Sequence, residues 1–116
     1  MIVIESFEHI NVPCTDLKKS IEFYTMFLDF EVDEETDKGA VLVFDNLTLR
    51  LFISESPAPS YPIATFLLDV DDFTDALQEI EDQSIVIAKG PYEIQGGEAV
   101  IIGDPGGNLI ELFYRE

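Results

Sequence analysis

The chain has 116 residues, of which 24 are Asp or Glu and only 6 are Lys or Arg, so its formal charge is −18. A disordered acidic segment is excluded because 47% of the residues are hydrophobic, including nine Phe and four Tyr, and these can fill a core. Nucleic acid and anionic membrane surfaces are excluded as partners, because six scattered basic residues cannot neutralise a row of phosphates.

Targeting and redox signals are sparse. No apolar run approaches the roughly 20 residues that cross a bilayer, and residues 1–7 lack the basic start of a signal peptide, which predicts a cytoplasmic protein. Cys14 is the only cysteine, so an intramolecular disulfide and a Cys-based zinc site are excluded. We expect its thiol to be inert and partly buried.

The first half of the chain begins with a strand-like run at residues 7–12. Asp16 follows as a predicted N-cap, and the next apolar residues recur at helical spacing. These residues are Leu17, Ile21, Tyr24 and Leu28. Further strand-like runs at 30–33, 40–45 and 48–54 complete a β-α-β-β-β order.

The second half repeats this order. A strand-like run at residues 64–70 precedes Asp72, a second predicted N-cap, and a shift of 56 residues superposes Asp16 on Asp72. A helix with Phe73, Ala76, Leu77 and Ile80 on one face follows. Strands are predicted at 84–88, 98–103 and 109–114, and Gly90-Pro91 and Gly96-Gly97 are expected to bracket a hairpin loop.

The repeat predicts a single α+β domain built from two tandem βαβββ modules. Module one covers residues 1–54, a proline-rich connector covers 55–62, and module two covers 63–116. An extended connector of this length could reach close to ~30 Å at roughly 3.3 Å per residue. The second module can therefore pack beside the first in the same chain or onto a partner chain, and the sequence leaves both arrangements open.

Strand alternation sorts the side chains into a helix-facing set and an opposite set. The opposite set collects four polar residues at equivalent positions of the two modules: His9, Arg50, Thr65 and Glu111. Apolar and amide side chains surround them: Phe7, Asn11, Phe52, Leu67, Leu109 and Phe113. A concave apolar surface with a few convergent polar groups is typical of a small-molecule site, so we predict that these residues bind a ligand.

Four motifs resemble the vicinal oxygen chelate (VOC) superfamily, the group of glyoxalases, bleomycin-resistance proteins and extradiol dioxygenases. They are His-Ile-Asn-Val at 9–12, the helix end at 23–30, Leu-Asp-Val-Asp-Asp at 68–72 and Gly-Asp-Pro-Gly-Gly-Asn-Leu-Ile-Glu-Leu at 103–112. The resemblance covers essentially the whole chain and implies a curved mixed sheet with a concave ligand cup. Asp29 replaces the family's helix-ending Gly, so we expect Asp29 in the left-handed conformation.

The resemblance also implies a metal position. In the family's metalloenzymes the ligands come from the first and last strand of each module, which here gives His9, Arg50, Thr65 and Glu111. Only His9 and Glu111 match, and the protonated Arg50 would repel a divalent cation. We therefore expect no cofactor, and a hydrogen-bonded cluster of Arg50 with Glu111 and nearby His9. The alternative is Zn, Ni, Fe or Mn held by His9 and Glu111.

Three functions remain open. The first is a small-molecule-binding protein that holds an aromatic or cationic metabolite or drug in the cup, as a homodimer whose modules are either in cis or swapped. The second is a VOC enzyme, either a metal-dependent lyase or dioxygenase, or a metal-free catalyst in which Glu111 or His9 acts as base and Arg50 stabilises negative charge. The third is a structural or regulatory module that binds a protein partner.

Overall fold

The computed structural model describes residues 1–54 and 66–116, which form two four-stranded sheets of identical topology. Each sheet begins with a parallel pair, followed by two antiparallel strands. In module one the spatial order is β1 (Ile10–Cys14), β4 (Leu47–Ile53), β3 (Gly39–Phe44) and β2 (Glu31–Glu35). In module two it is β5 (Phe66–Asp69), β8 (Leu109–Arg115), β7 (Gly97–Gly103) and β6 (Val86–Ile94). The predicted α+β fold of two βαβββ modules is confirmed.

The two helices begin where the sequence predicts. Asp16 caps α1 (Leu17–Glu22) and Asp72 caps α2 (Phe73–Asp82), since each carboxylate accepts a hydrogen bond from a backbone N–H three residues later. Helix α1 continues as a π-helical turn over Phe23–Phe27. Neither these helices nor any other helix in the described part of the chain is long and apolar enough to cross a membrane.

Helix α1 does not end as expected. Leu28 leaves the π-helical turn in an extended conformation, and Asp29 is absent from the described non-glycine residues with positive φ. The expectation of a left-handed Asp29 is therefore wrong. The widened last turn lets the Leu28 and Phe30 amides reach the carbonyls of Phe23 and Tyr24, so the helix closes without a left-handed residue.

The core lies between each sheet and its helix, as strand alternation predicts. Val12, Leu49 and Leu51 are fully buried in module one, and Ile110 and Leu112 are buried in module two. Ile53 is on the same side of β4 by alternation but is 48% exposed, because β4 ends there. The residues between these positions on each strand lie on the opposite face, which is the predicted cup face.

The modules contact each other through the turn between β7 and β8. The Tyr24 hydroxyl donates to Asp104 Oδ2 at 2.7 Å, and Asn108 Nδ2 donates to the carbonyl of Pro13 at 2.9 Å. Asp104 also accepts the backbone N–H groups of Gly106 and Asn108. A Cβ at Gly106 would lie 3.0 Å from the Pro13 oxygen, so glycine permits this close approach.

The hairpin loop predicted between Gly90-Pro91 and Gly96-Gly97 is shorter in the structure. Gly90-Pro91 does not bound a loop but lies inside β6, which extends to Ile94 and contains two register irregularities. The hairpin turn therefore comes only after Ile94. The connector predicted at 55–62 and the cup residue Thr65 lie outside the described residues.

Candidate functional site

The cup face of module one is centred on Arg50. In the register of the sheet, Arg50 lies between Asn11 on β1 and Val41 on β3, and its side chain is exposed. His9 Nε2 lies 3.0 Å from Asn11 Oδ1, within hydrogen-bonding distance. A shallow depression of about 150 Å³ beside Arg50 is lined by Val41 and Phe52, among others.

The cup face of module two is centred on Glu111. Glu111 lies between Leu67 on β5 and Ile101 on β7, and it is half-buried. Its Oε1 accepts a hydrogen bond from the hydroxyl of Tyr92 on β6. This hydrogen bond, followed by burial, raises the pKa of Tyr92 to about 12. The phenol therefore stays protonated and remains a donor to the carboxylate at neutral pH.

Tyr92 is the site residue that the sequence analysis missed. The prediction placed Tyr92 in a loop because it ended the strand at residue 88, before Gly90-Pro91. In the structure the strand continues to Ile94 and pairs Tyr92 with Ala99, after two register irregularities that simple alternation does not predict. The signal was the apolar and aromatic residues that resume after Pro91.

Arg50 and Glu111 do not pair within the chain. Among residues 1–54 and 66–116, no ion pair joins them, and Glu111 is bonded to Tyr92 instead. The expected Arg50–Glu111 cluster is therefore not formed in the single chain, because the two residues lie on different sheets.

The remaining cup residues are largely open to solvent. Phe7 precedes β1, which begins at Ile10 and not at the predicted residue 7, and Phe7 is 72% exposed. Leu67 is 55% exposed and Phe52 is 37% exposed. Leu109 and Phe113 are half-buried, and the Arg115 guanidinium lies 4.9 Å from the centre of the Phe113 ring. Each module thus presents a partly exposed apolar face around one charged residue.

Within a single chain, the described donors do not form a site for a divalent metal. Within the part of the chain that the structure describes, no group of three or more His, Cys, Asp or Glu side chains is placed so that it could hold a metal ion. His9 contacts Asn11, Glu111 contacts Tyr92, and the third implied position holds the cationic Arg50. A catalytic zinc site generally needs three protein ligands, so we derive no chemistry through a metal.

A larger cavity of about 630 Å³ lies between the modules, near the ends of α1 and β5. Its floor is apolar and includes Phe30, Leu68 and Leu112, and its rim carries seven carboxylates. The carboxylates belong to Asp29, Asp45, Asp69, Asp71, Asp72, Asp75 and Glu79. The predicted cup residue Leu67 lines this cavity, whereas Arg50 and Glu111 do not.

Two βαβββ modules, each with a four-stranded sheet of the same strand order, define a class of α+β proteins built from paired modules. The sequence profile of the Glyoxalase/Bleomycin resistance protein/Dioxygenase superfamily matches residues 6–112. The chain belongs to this superfamily.

Curated relatives and solved structures agree with this assignment. The chain is 29% identical over 107 residues to catechol-2,3-dioxygenase of Bacillus subtilis. The matched region covers 84% of this chain but only 37% of that protein. It is 27% identical over 117 residues to metallothiol transferase FosB of Staphylococcus saprophyticus, covering 95% of this chain and 77% of that protein. The structure of the fosfomycin resistance protein FosX from Listeria monocytogenes superposes with a TM-score of 0.84 at 16% identity, covering 98% of this chain and 96% of that chain.

Proposed function

We propose that this member of the superfamily binds a cationic aromatic small molecule in the cup and uses the Glu111 carboxylate as its anchor. The observation that carries the proposal is the pairing of one half-buried carboxylate with an open face of aromatic and aliphatic side chains. Such a face stacks on a ligand ring, and the carboxylate accepts donors from a cationic group. The formal charge of −18 also attracts cations to the surface.

A thermal-shift screen with matched pairs of aromatic ligands tests this proposal. Each pair has the same ring with either a cationic or a neutral substituent, so that ring stacking is held constant. The cationic member is expected to raise the melting temperature more than its neutral partner, and Glu111→Gln is expected to abolish the difference. A set of hits that is independent of ligand charge would contradict the proposal.

We also propose that the cup operates without a resident metal. The support is the chemistry of the donors, since Arg50 occupies one implied position and the described acceptors already have partners. Protein purified without chelator is then expected to contain no stoichiometric Zn, Ni, Fe or Mn by elemental analysis. One tightly bound equivalent would overturn this part of the proposal.

The cup is proposed to be completed by a second copy of the chain. Within one chain the modules contact through Tyr24, Asp104 and Asn108, whereas Arg50 and Glu111 stay apart and the apolar cup faces remain exposed. In a module-swapped homodimer, module one of each copy covers module two of its partner. Burial of Phe7, Phe52 and Leu67 would favour such a dimer.

Mixed dimers test the shared cup. Phe52→Ala removes an exposed aromatic ring of module one, and Glu111→Gln removes the anchor of module two, so each is expected to weaken ligand binding as a pure dimer. A mixed dimer contains one chain with each substitution. If the modules are swapped, one of its two cups carries both substitutions and the other carries neither, so half of the sites in the mixed dimer should regain full affinity. A cup formed within one chain would show no recovery, and a monomer by light scattering would exclude sharing altogether.

An enzyme is the second candidate function, because a carboxylate with a phenol donor is also an acid–base pair. In this case Glu111 accepts a proton from the bound substrate and Arg50 stabilises the charge that develops. Glu111→Gln would then leave substrate binding largely intact but abolish turnover. Loss of binding in the same variant favours the binding protein instead.

A further inference from the structure

Resting on the proposed function, we infer that Tyr92 selects the ligand of this cup. Its phenol holds the Glu111 carboxylate until a ligand with a cationic hydrogen-bond donor, such as an amidinium, guanidinium or ammonium group, replaces it. Tyr92 is thus a specificity-determining residue, because its hydroxyl competes with the ligand for the Glu111 carboxylate.

The side chain of Tyr92 crosses the cup face of module two diagonally. Tyr92 lies opposite Ala99 in the sheet, whereas Glu111 lies one pair further on, opposite Ile101. The hydrogen bond to Glu111 therefore carries the ring across β7. Ala99 is 0% exposed and Ile101 is 6% exposed, although both lie on the face away from α2.

The backbone of β6 is shaped to accommodate this ring. Gly90 has a φ of 95°, and a Cβ there would lie 2.7 Å from Tyr92 Cδ1 and 3.2 Å from the Ala99 carbonyl oxygen. Only glycine tolerates both the conformation and the contact. The Lys89 ammonium lies over the Tyr92 ring, with its Nζ 4.8 Å from the ring centre, as in a cation–π contact.

The hydrogen bond limits which ligands can enter. A half-buried carboxylate that loses its donor without a replacement is destabilised, so a neutral aromatic ring alone cannot displace the phenol favourably. An anion would be repelled by Glu111. A cationic donor adds an attraction between opposite charges that the neutral phenol lacks, and a planar cation such as an amidinium can engage both carboxylate oxygens.

Displacement of Tyr92 would also create the floor of the site. When the ring moves aside, Ala99 and Ile101 become available to the aromatic part of the ligand. The ligand ring then replaces the tyrosine ring on the same apolar surface, so little apolar area is newly exposed to water. This exchange favours ligands that carry both a ring and a cation.

Benzamidine is a suitable probe because its amidinium and its ring match the two features, and benzamide is its neutral counterpart. Binding of each is followed by NMR shift titration of the wild type, Tyr92→Phe, Glu111→Gln and Tyr114→Phe. Tyr114 is the matched control, because it lies on the same sheet but on the helix-facing side of β8. A label on the ring carbon that bears the Tyr92 hydroxyl reports whether the phenol leaves Glu111.

The proposal predicts that Tyr92→Phe binds benzamidine about tenfold more tightly than the wild type, which is about 1.4 kcal/mol. Tyr114→Phe should bind like the wild type, Glu111→Gln should lose benzamidine binding, and benzamide should show no comparable gain. In the wild type, saturation with benzamidine should move the Tyr92 ring-carbon shift toward its value in Glu111→Gln.

The contrary outcomes separate this inference from the proposed function. Equal benzamidine affinity of the wild type and Tyr92→Phe, with shifts around Glu111 in both, would overturn the role of Tyr92 and leave the cup intact. An absence of shifts around Glu111 in every variant, or shifts confined to the acidic cavity near Asp29 and Asp72, would overturn both proposals.

Discussion

The Tyr24 hydroxyl donates a 2.7 Å hydrogen bond to the carboxylate of Asp104, and this bond joins the helix of module one to the β7–β8 turn of module two. Both residues are buried, and the second donor to the same oxygen, Asn108 Nδ2, also binds the Pro13 carbonyl. A buried charged acceptor with several donors rigidifies its surroundings. The relative placement of the modules therefore depends on this small network.

Tyr24→Phe is predicted to lower the free energy of unfolding by about 2 kcal/mol, because it removes one donor from a buried carboxylate and leaves the ring in place. Urea denaturation followed by circular dichroism measures the change. Tyr114→Phe serves as the control, since Tyr114 is only partly buried. Similar losses in the two variants would show that the Asp104 bond contributes little.

Stability is predicted to decline at alkaline pH through Tyr24. Burial, followed by the charge of Asp104, raises the pKa of Tyr24 well above its usual value. The unfolded chain ionises near pH ~10, so the contribution of Tyr24 is complete below that pH and is lost as the pH rises toward the folded pKa. Unfolding free energies measured on both sides of about pH 10 should show this fall, and Tyr24→Phe should flatten it.

The N-cap of α2 offers a third prediction. Asp72→Ala removes the side-chain acceptor of the Asp75 amide and should cost about 1 kcal/mol of stability. Asp71→Ala is the matched control, because it removes the same charge one position earlier, outside the cap. If thermal denaturation shows equal losses, charge rather than capping explains the effect.

Gly90→Ala is predicted to destabilise the protein more than Gly96→Ala. Both glycines have positive φ, at 95° and 82°, so both substitutions incur the backbone cost of about 1–2 kcal/mol. Only at Gly90 does the new Cβ meet the Tyr92 ring, while nothing lies within 4 Å at Gly96. Chemical denaturation measures the difference, and equal costs would mean that the Tyr92 ring yields without penalty.

Local chemistry was predictable from the sequence where it depends on neighbours in the chain. The two aspartate caps and the alternation that buries Leu49 and Leu51 are examples. The partner of Asp104 was not predictable, because Tyr24 is 80 residues away and its helical spacing indicates only a buried position. Tertiary packing decides such contacts.

Only part of the candidate site was predictable from the sequence. Alternation placed Arg50 and Glu111 on the cup faces, but it could not show that the chain keeps them on separate sheets. Tyr92 escaped prediction because Gly90-Pro91 resembles a turn, whereas here it lies within an irregular strand. Irregular strands of this kind break the period on which the prediction relies.

The most direct test of the central claim is a calorimetric titration of the wild type and Glu111→Gln with the strongest cationic aromatic ligand from the screen. A carboxylate anchor predicts that Glu111→Gln weakens binding at least about tenfold, since the ion pair between the ligand's cation and the carboxylate is replaced by a hydrogen bond to an uncharged amide. Equal dissociation constants for the two proteins would contradict a cup in which Glu111 anchors the ligand.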